Sequence, residues 1–185
     1  MRTVGRYVVT VHHSDELQGA AFHRLVGRMG SAMRTRKHIH EETFPVERPR
    51  LFALLHTPSA IRQWWGAAQA VVLPEAGGKW AAAWGEAEDD PDYVTVATIR
   101  EFQSPHRMVL SDYRHHAKTG PLPFEIDFVT EFLVSPHSEG ASLRVTQDGL
   151  PVEPEGDTFY AGCEKGWKDT VAGIRQYRID SNRSD

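Results

Sequence analysis

Between Pro154 and Tyr177 the apolar residues Phe159, Cys163, Trp167, Val171, Ile174 and Tyr177 recur at intervals of four, four, four, three and three, the spacing of one face of an α-helix. Glu164, Lys165, Lys168, Asp169, Arg175 and Gln176 fall off that stripe. The opposite face is therefore solvated, with Glu164 and Lys168 in the favourable acid-first i,i+4 order. Glu155 and Asp157 near the start and Arg175 and Arg178 near the end suit the helix dipole. Gly162, Gly166 and Gly173 interrupt the run, each costing about 1 kcal/mol against alanine. Close packing against another element would offset that cost, and a curved sheet leaving room beside the helix is the expected neighbour.

Upstream the period changes. Phe124, Ile126, Phe128, Thr130 and Phe132 alternate with Glu125, Asp127 and Glu131, the signature of a strand with one apolar and one wet face. Further strand-like runs span Lys37 to Phe44, Lys79 to Trp84, Tyr93 to Phe102, Arg107 to Tyr113 and Ala141 to Gln147. Short loops divide most of them, which favours antiparallel neighbours, since parallel ones need long crossovers. After the first strand, Pro49 to Leu55 and the stretch from Thr57-Pro58 to Trp64-Trp65 read as two short helices with proline in the first turn. An apolar sheet face needs a cover, and the 154–177 helix is the long amphipathic element available.

With 185 residues the chain can bury a core without staples. A net charge of -4 argues against a general nucleic-acid or anionic-membrane surface. Cys163 is the only cysteine, so there is no intrachain disulfide and no cysteine-based zinc site. This fits a reducing cytoplasm, and on an apolar helix face Cys163 reads as a small core hydrophobe. No stretch approaches the roughly 20 apolar residues of a spanning helix, nor does a signal peptide stand out. The expectation is a cytoplasmic protein. Residues 1–34 differ from the rest, with a short β-like run from Tyr7 to Val11 and a loosely amphipathic Leu17 to Met29, and are read as an N-terminal extension.

Several motifs in order carry a resemblance: Phe44-Pro-Val-Glu-Arg-Pro-Arg-Leu-Phe52, Thr57-Pro58 with Trp64-Trp65-Gly66, Gly77-Gly78-Lys79-Trp80, Glu101-Phe-Gln-Ser-Pro-His-Arg-Met-Val109, Thr146-Gln-Asp-Gly-Leu-Pro151 and Gly166-Trp167. From about Lys37 to Tyr177 the chain resembles the SRPBCC superfamily, within it the branch named after the C-terminal domain of the activator of heat-shock protein 90 ATPase. The resemblance implies an α+β helix-grip, or START-like, fold. In it a curved antiparallel sheet of six or seven strands wraps a long C-terminal helix, with two short helices after the first strand. The implied domain is 35–180, followed by a short tail, 181–185. Relatives of this fold bind lipids, hormones or polyketides between sheet and helix, and some catalyse cyclisation or hydrolysis there.

Such an architecture encloses an apolar hollow, the default ligand site. By parity and by the family pattern, its lining should include Trp80, Trp84, Ile99, Met108, Leu110, Phe128 and Phe132, faced by Phe159, Cys163 and Trp167. The alternative is a filled core. Asp112 falls in phase with Met108 and Leu110, where the family often has an apolar or aromatic residue. It is a candidate carboxylate at the cavity mouth, able to serve binding or acid-base work, or else a solvent-exposed strand end.

His38, His40 and Glu42 share one strand face, a spacing from which a divalent ion could be held. No HExxH spacing accompanies them and the relatives generally have apolar residues at one or both histidine positions, so no metal is assigned. His115-His116 is placed in a loop. The acidic run from Glu86 to Asp92 lacks the glycine and terminal glutamate of an EF-hand and reads as a solvated loop. Motifs for a serine or cysteine nucleophile and for phosphate-binding loops are missing.

The leading expectation is a binder of a small apolar or aromatic molecule, without a cofactor and as a monomer or homodimer. A protein-interaction module that docks a chaperone or another protein would instead show an exposed apolar patch at Trp64-Trp65. A cyclase-like or hydrolytic enzyme would use Asp112 or a histidine as the acid or base.

Overall fold

The computed structural model describes residues 34–87, 89–122, 124 and 128–181. The elements expected at 7–11 and 17–29 lie outside the described residues, as does the end of the tail. Strand β1 (Thr35–Phe44) leads into helices α1 (Arg48–Leu54) and α2 (Pro58–Trp64). Then come β2 (Gln69–Val72), β3 (Lys79–Trp84), β4 (Tyr93–Gln103), β5 (Arg107–Ala117), β6 (Val129–His137) and β7 (Gly140–Pro151). A single 3-10 turn precedes the closing helix α3 (Asp157–Ser181). The seven strands form one antiparallel sheet in the order β1-β7-β6-β5-β4-β3-β2. The fold is thus an α+β helix grip, with α3 laid across the sheet.

Sequence periodicity finds six of these strands and misses β2. Its four residues Gln69-Ala-Val-Val72 are too short to establish a period, and only pairing with β3 makes them a strand. Strand β6 starts at Val129, later than the alternation from Phe124 suggests; Glu125, Ile126 and Asp127 lie outside the described residues. Strand β5 runs on to Ala117, so His115 and His116 belong to a strand and not to a loop.

Proline opens both short helices. They cover one end of the sheet, where Phe44, Leu51, Phe52, Leu55, Ile61, Ile99, Met108 and Leu143 are fully buried. Helix α3 is held through two seams, one against α2 and one against the sheet. On one, the carbonyl oxygen of Trp64 lies 2.2 Å from where a Cβ on Gly173 would stand. That glycine is therefore required by α2, and not by the sheet as expected. On the other, β1 presents a polar row. Arg36 pairs with Asp157 at 2.6 Å and lies over the Tyr160 ring, His38 Nε2 meets the Tyr160 carbonyl at 3.0 Å, and Glu42 pairs with Arg175. Two of the three residues considered as metal ligands are thus engaged in holding the helix, and no metal-binding cluster occurs among the described residues.

Candidate functional site

The grip does not close completely. At the end of the sheet away from α1, a hollow of about 510 Å³ opens between the sheet and α3. On the inward rows of the sheet, β3 contributes Trp80 and Trp84, β4 Tyr93 and Thr95, β5 Leu110, Tyr113 and His115, and β7 Gln147. Phe128 comes from just before β6, Phe132 from within it, and Trp65 from the C-cap of α2. Phe159, Gly162, Cys163, Gly166, Trp167 and Thr170 face them from α3.

Four of the chain's five tryptophans line the hollow, and the fifth, Trp64, stacks behind Trp65. Trp65 sits with ring centroids 5.1 Å from Trp64, 5.3 Å from Trp80, 5.4 Å from Trp84 and 5.8 Å from Trp167. Four of the indole N–H groups are used inside the protein. Trp64 donates to the Leu54 carbonyl, Trp80 to that of Leu55, Trp84 to that of Trp65, and Trp167 to Gln147 Oε1 at 3.0 Å. What these rings offer a ligand is their π surface and area. Gly166 supplies the room: an added Cβ there would meet nothing within 4 Å.

Of the residues singled out from sequence, Trp80, Trp84, Leu110, Phe128, Phe132, Phe159, Cys163 and Trp167 are brought together around this hollow. Ile99 and Met108 are fully buried but do not line it. They stand on the right face at the wrong end, in the filled part of the core, because the hollow starts at Leu110 and runs toward Ala117. Asp112 is a correction of a different kind. Opposite Val96 and Thr98 on β4 stand Arg114 and Ser111 on β5, so β5 carries one extra residue at this point, a β-bulge. Asp112 takes a left-handed φ of 51°, its side chain is exposed, and Ser111 Oγ donates to its carboxylate. The inward row consequently passes from Leu110 to Tyr113 and His115.

Parity alone would send Asp112, Arg114 and His116 inward. The one sequence hint of a shift is that aspartate tolerates the left-handed region better than most residues, beside an aromatic, Tyr113, that an unbroken strand would turn to solvent.

The polar groups of the hollow are held in defined states. Tyr113 donates its hydroxyl to Thr130 Oγ1 at 2.7 Å, and burial holds its phenol well above the usual range. Burial pushes the Cys163 thiol up to about 12, so it stays protonated and unreactive at neutral pH. His115 Nδ1 lies 3.0 Å from Thr95 Oγ1. Burial, and secondarily the neighbouring His116, depresses its pKa, leaving a neutral imidazole.

A family model described as Activator of Hsp90 ATPase homolog 1-like protein matches residues 45–178. Among solved structures, a protein from Mesorhizobium loti superposes with a TM-score of 0.63 at 19% identity, covering 81% of this chain and 99% of that one. An AHSA1-like protein from Aeromonas hydrophila gives 0.62 at 12% identity, over 80% and 94%. DynU16, a protein in the dynemicin biosynthetic locus, gives 0.61 at 14% identity, over 77% of this chain and 47% of that one. At these identities the superpositions show a shared fold. The search of curated proteins finds no match.

Proposed function

The chain belongs to the Activator of Hsp90 ATPase homolog 1-like family, and on that premise we propose that it binds a small apolar or aromatic molecule between its sheet and α3. The observation that carries this reading is the hollow of about 510 Å³ walled by tryptophan and phenylalanine rings from both layers. Pockets for drug-sized ligands fall at roughly 300–1,000 Å³ and are mostly apolar with a few placed polar groups. A protein whose purpose was only to stay folded would gain by filling this space, since voids cost stability.

The test combines native mass spectrometry of freshly purified protein with a fluorescence titration using the neutral probe N-phenyl-1-naphthylamine. We expect a co-purifying apolar compound or saturable probe binding at one per chain, with tryptophan emission changing in step. The double variant Trp167→Ala, Phe128→Ala should abolish binding while remaining folded. An apo mass together with no saturable probe binding would sink the reading.

A docking role for Trp64-Trp65 finds no support in the exposure of these residues: Trp64 is 4% exposed and Trp65 is turned onto other rings. The exposed large apolar side chains among the described residues are Ile39, Val71 and Leu73. For the enzymatic alternative, Asp112 faces away from the hollow, while a histidine, His115, does line it.

A further inference from the structure

Among the described residues, the wall of the hollow carries two acids, Glu86 and Asp92, and neither lysine nor arginine. The nearby cation Lys118 is not itself in the wall and is already paired, with Asp90 at 2.6 Å and with the wall's own Asp92 at 3.3 Å. At this end His115 stands with its ring stacked on Tyr93, centroids 6.0 Å apart, and Nδ1 on the Thr95 hydroxyl. Its Nε2 has no hydrogen-bond partner within the described residues, and the residue faces the hollow. The aromatic wall can grip a flat apolar body but barely distinguishes one substituent from another, whereas a site that offers a hydrogen bond rejects ligands that leave it unmade.

Resting on the binding reading above, we infer that His115 is the polar anchor of the hollow. The ligand class it selects is an uncharged aromatic bearing a hydroxyl at the β4–β5 end, with carboxylates and phosphates of the same shape rejected. The hydroxyl follows from the tautomers. If Thr95 donates to Nδ1, Nε2–H is a donor; if Nδ1–H donates to Thr95, Nε2 is an acceptor. A hydroxyl satisfies either arrangement, a carbonyl only the first. The rejection follows from charge: an anion entering this wall loses water and finds no lysine or arginine among the described wall residues to pair with.

Three matched probes separate these claims: naphthalene, 2-naphthol and 2-naphthoate, titrated at pH 7.5 against full-length protein by displacement of N-phenyl-1-naphthylamine. One net hydrogen bond makes 2-naphthol about 3- to 10-fold tighter than naphthalene, and 2-naphthoate is expected at least tenfold weaker than 2-naphthol. His115→Leu should erase the advantage of 2-naphthol while leaving naphthalene within twofold, and His115→Gln, which keeps a donor and an acceptor, should retain part of it.

Equal or tighter binding of 2-naphthoate by the unmodified protein overturns the charge argument without any variant. A uniform loss for all three probes in both variants overturns the anchor. If the displaced probe itself fails to bind and the native mass is that of the bare chain, the binding reading falls; if the probe binds and the order of the three is wrong, only the specificity falls.

Discussion

Replacing Gly166 by leucine should make the protein more stable and a poorer binder at once. The residue lies inside α3, and its missing Cβ faces open space in the hollow, with no atom within 4 Å. Removing a glycine from a helix interior returns about 1 kcal/mol of propensity, which for a chain of this size raises Tm by roughly 2–4 °C. The leucine side chain enters the hollow and buries itself among the rings, worth about 1.5–3 kcal/mol. A ligand must displace it or forgo the same contacts. At 1.4 kcal/mol per tenfold, Kd for N-phenyl-1-naphthylamine should rise about 10- to 100-fold. Thermal unfolding and the probe titration on the same preparation read both quantities. Most variants that lose binding also lose stability, so opposite signs are the diagnostic result. A fall in Tm would mean the space beside Gly166 is not there; an affinity within twofold of the unmodified protein would mean the hollow is not where the probe sits.

Four further outcomes follow from the same geometry. Gly173→Ala should lower Tm by about 3–10 °C despite the better helix propensity, because the new methyl would lie 2.2 Å from the Trp64 carbonyl oxygen and overpacking costs about 1–3 kcal/mol; an unchanged Tm would show that α2 and α3 are not seated so closely. Asp112→Ala should leave probe affinity within twofold, since its side chain is exposed and off the hollow wall, and a tenfold loss would restore it to the site. Iodoacetamide should modify Cys163 about 10³-fold more slowly in the folded chain at pH 8 than in urea, given a thiol pushed up to about 12, with equal rates refuting the buried state.

Finally, desolvation depresses the folded-state pKa of His38, His40, His56 and His115. The unfolded chain therefore takes up protons that the folded one refuses. Stability is full above pH 7.5, falls as pH drops through about 6.5, and levels off below the folded values, by at most about 1.4 kcal/mol per pH unit for each histidine. A Tm that is flat or rises between pH 7.5 and 5.5 would contradict this.

The long helix and most of the sheet can be read from the sequence because burial imposes a period on it. Phe159, Cys163 and Trp167 repeat every four residues, and Phe128, Thr130 and Phe132 every two, so the two layers and their facing sides follow from patterning alone. Five of the eight predicted residues that do line the hollow come from those two periods, and Trp80, Trp84 and Leu110 from the alternation of β3 and β5. Where along the inward rows the core ends and the hollow begins is a matter of tertiary placement. Ile99 and Met108 carry the same pattern as Leu110 yet lie in the filled part of the core, and no local period encodes that.

The bulge at Asp112 is the sharper case, because the side-chain period of a strand is two and one inserted residue exchanges every following side chain between faces. Without it, β5 would turn Asp112, Arg114 and His116 toward the rings and leave Tyr113 and His115 in solvent. Two charged groups would then need partners in an apolar hollow at a cost of several kcal/mol each. With it, the inward row becomes a phenol satisfied by Thr130 and an imidazole held by Thr95. One residue in the left-handed region thus decides whether this end of the hollow is ionic or neutral. The candidate chemistry of the site accordingly depends on a backbone irregularity that hydrophobic periodicity cannot register.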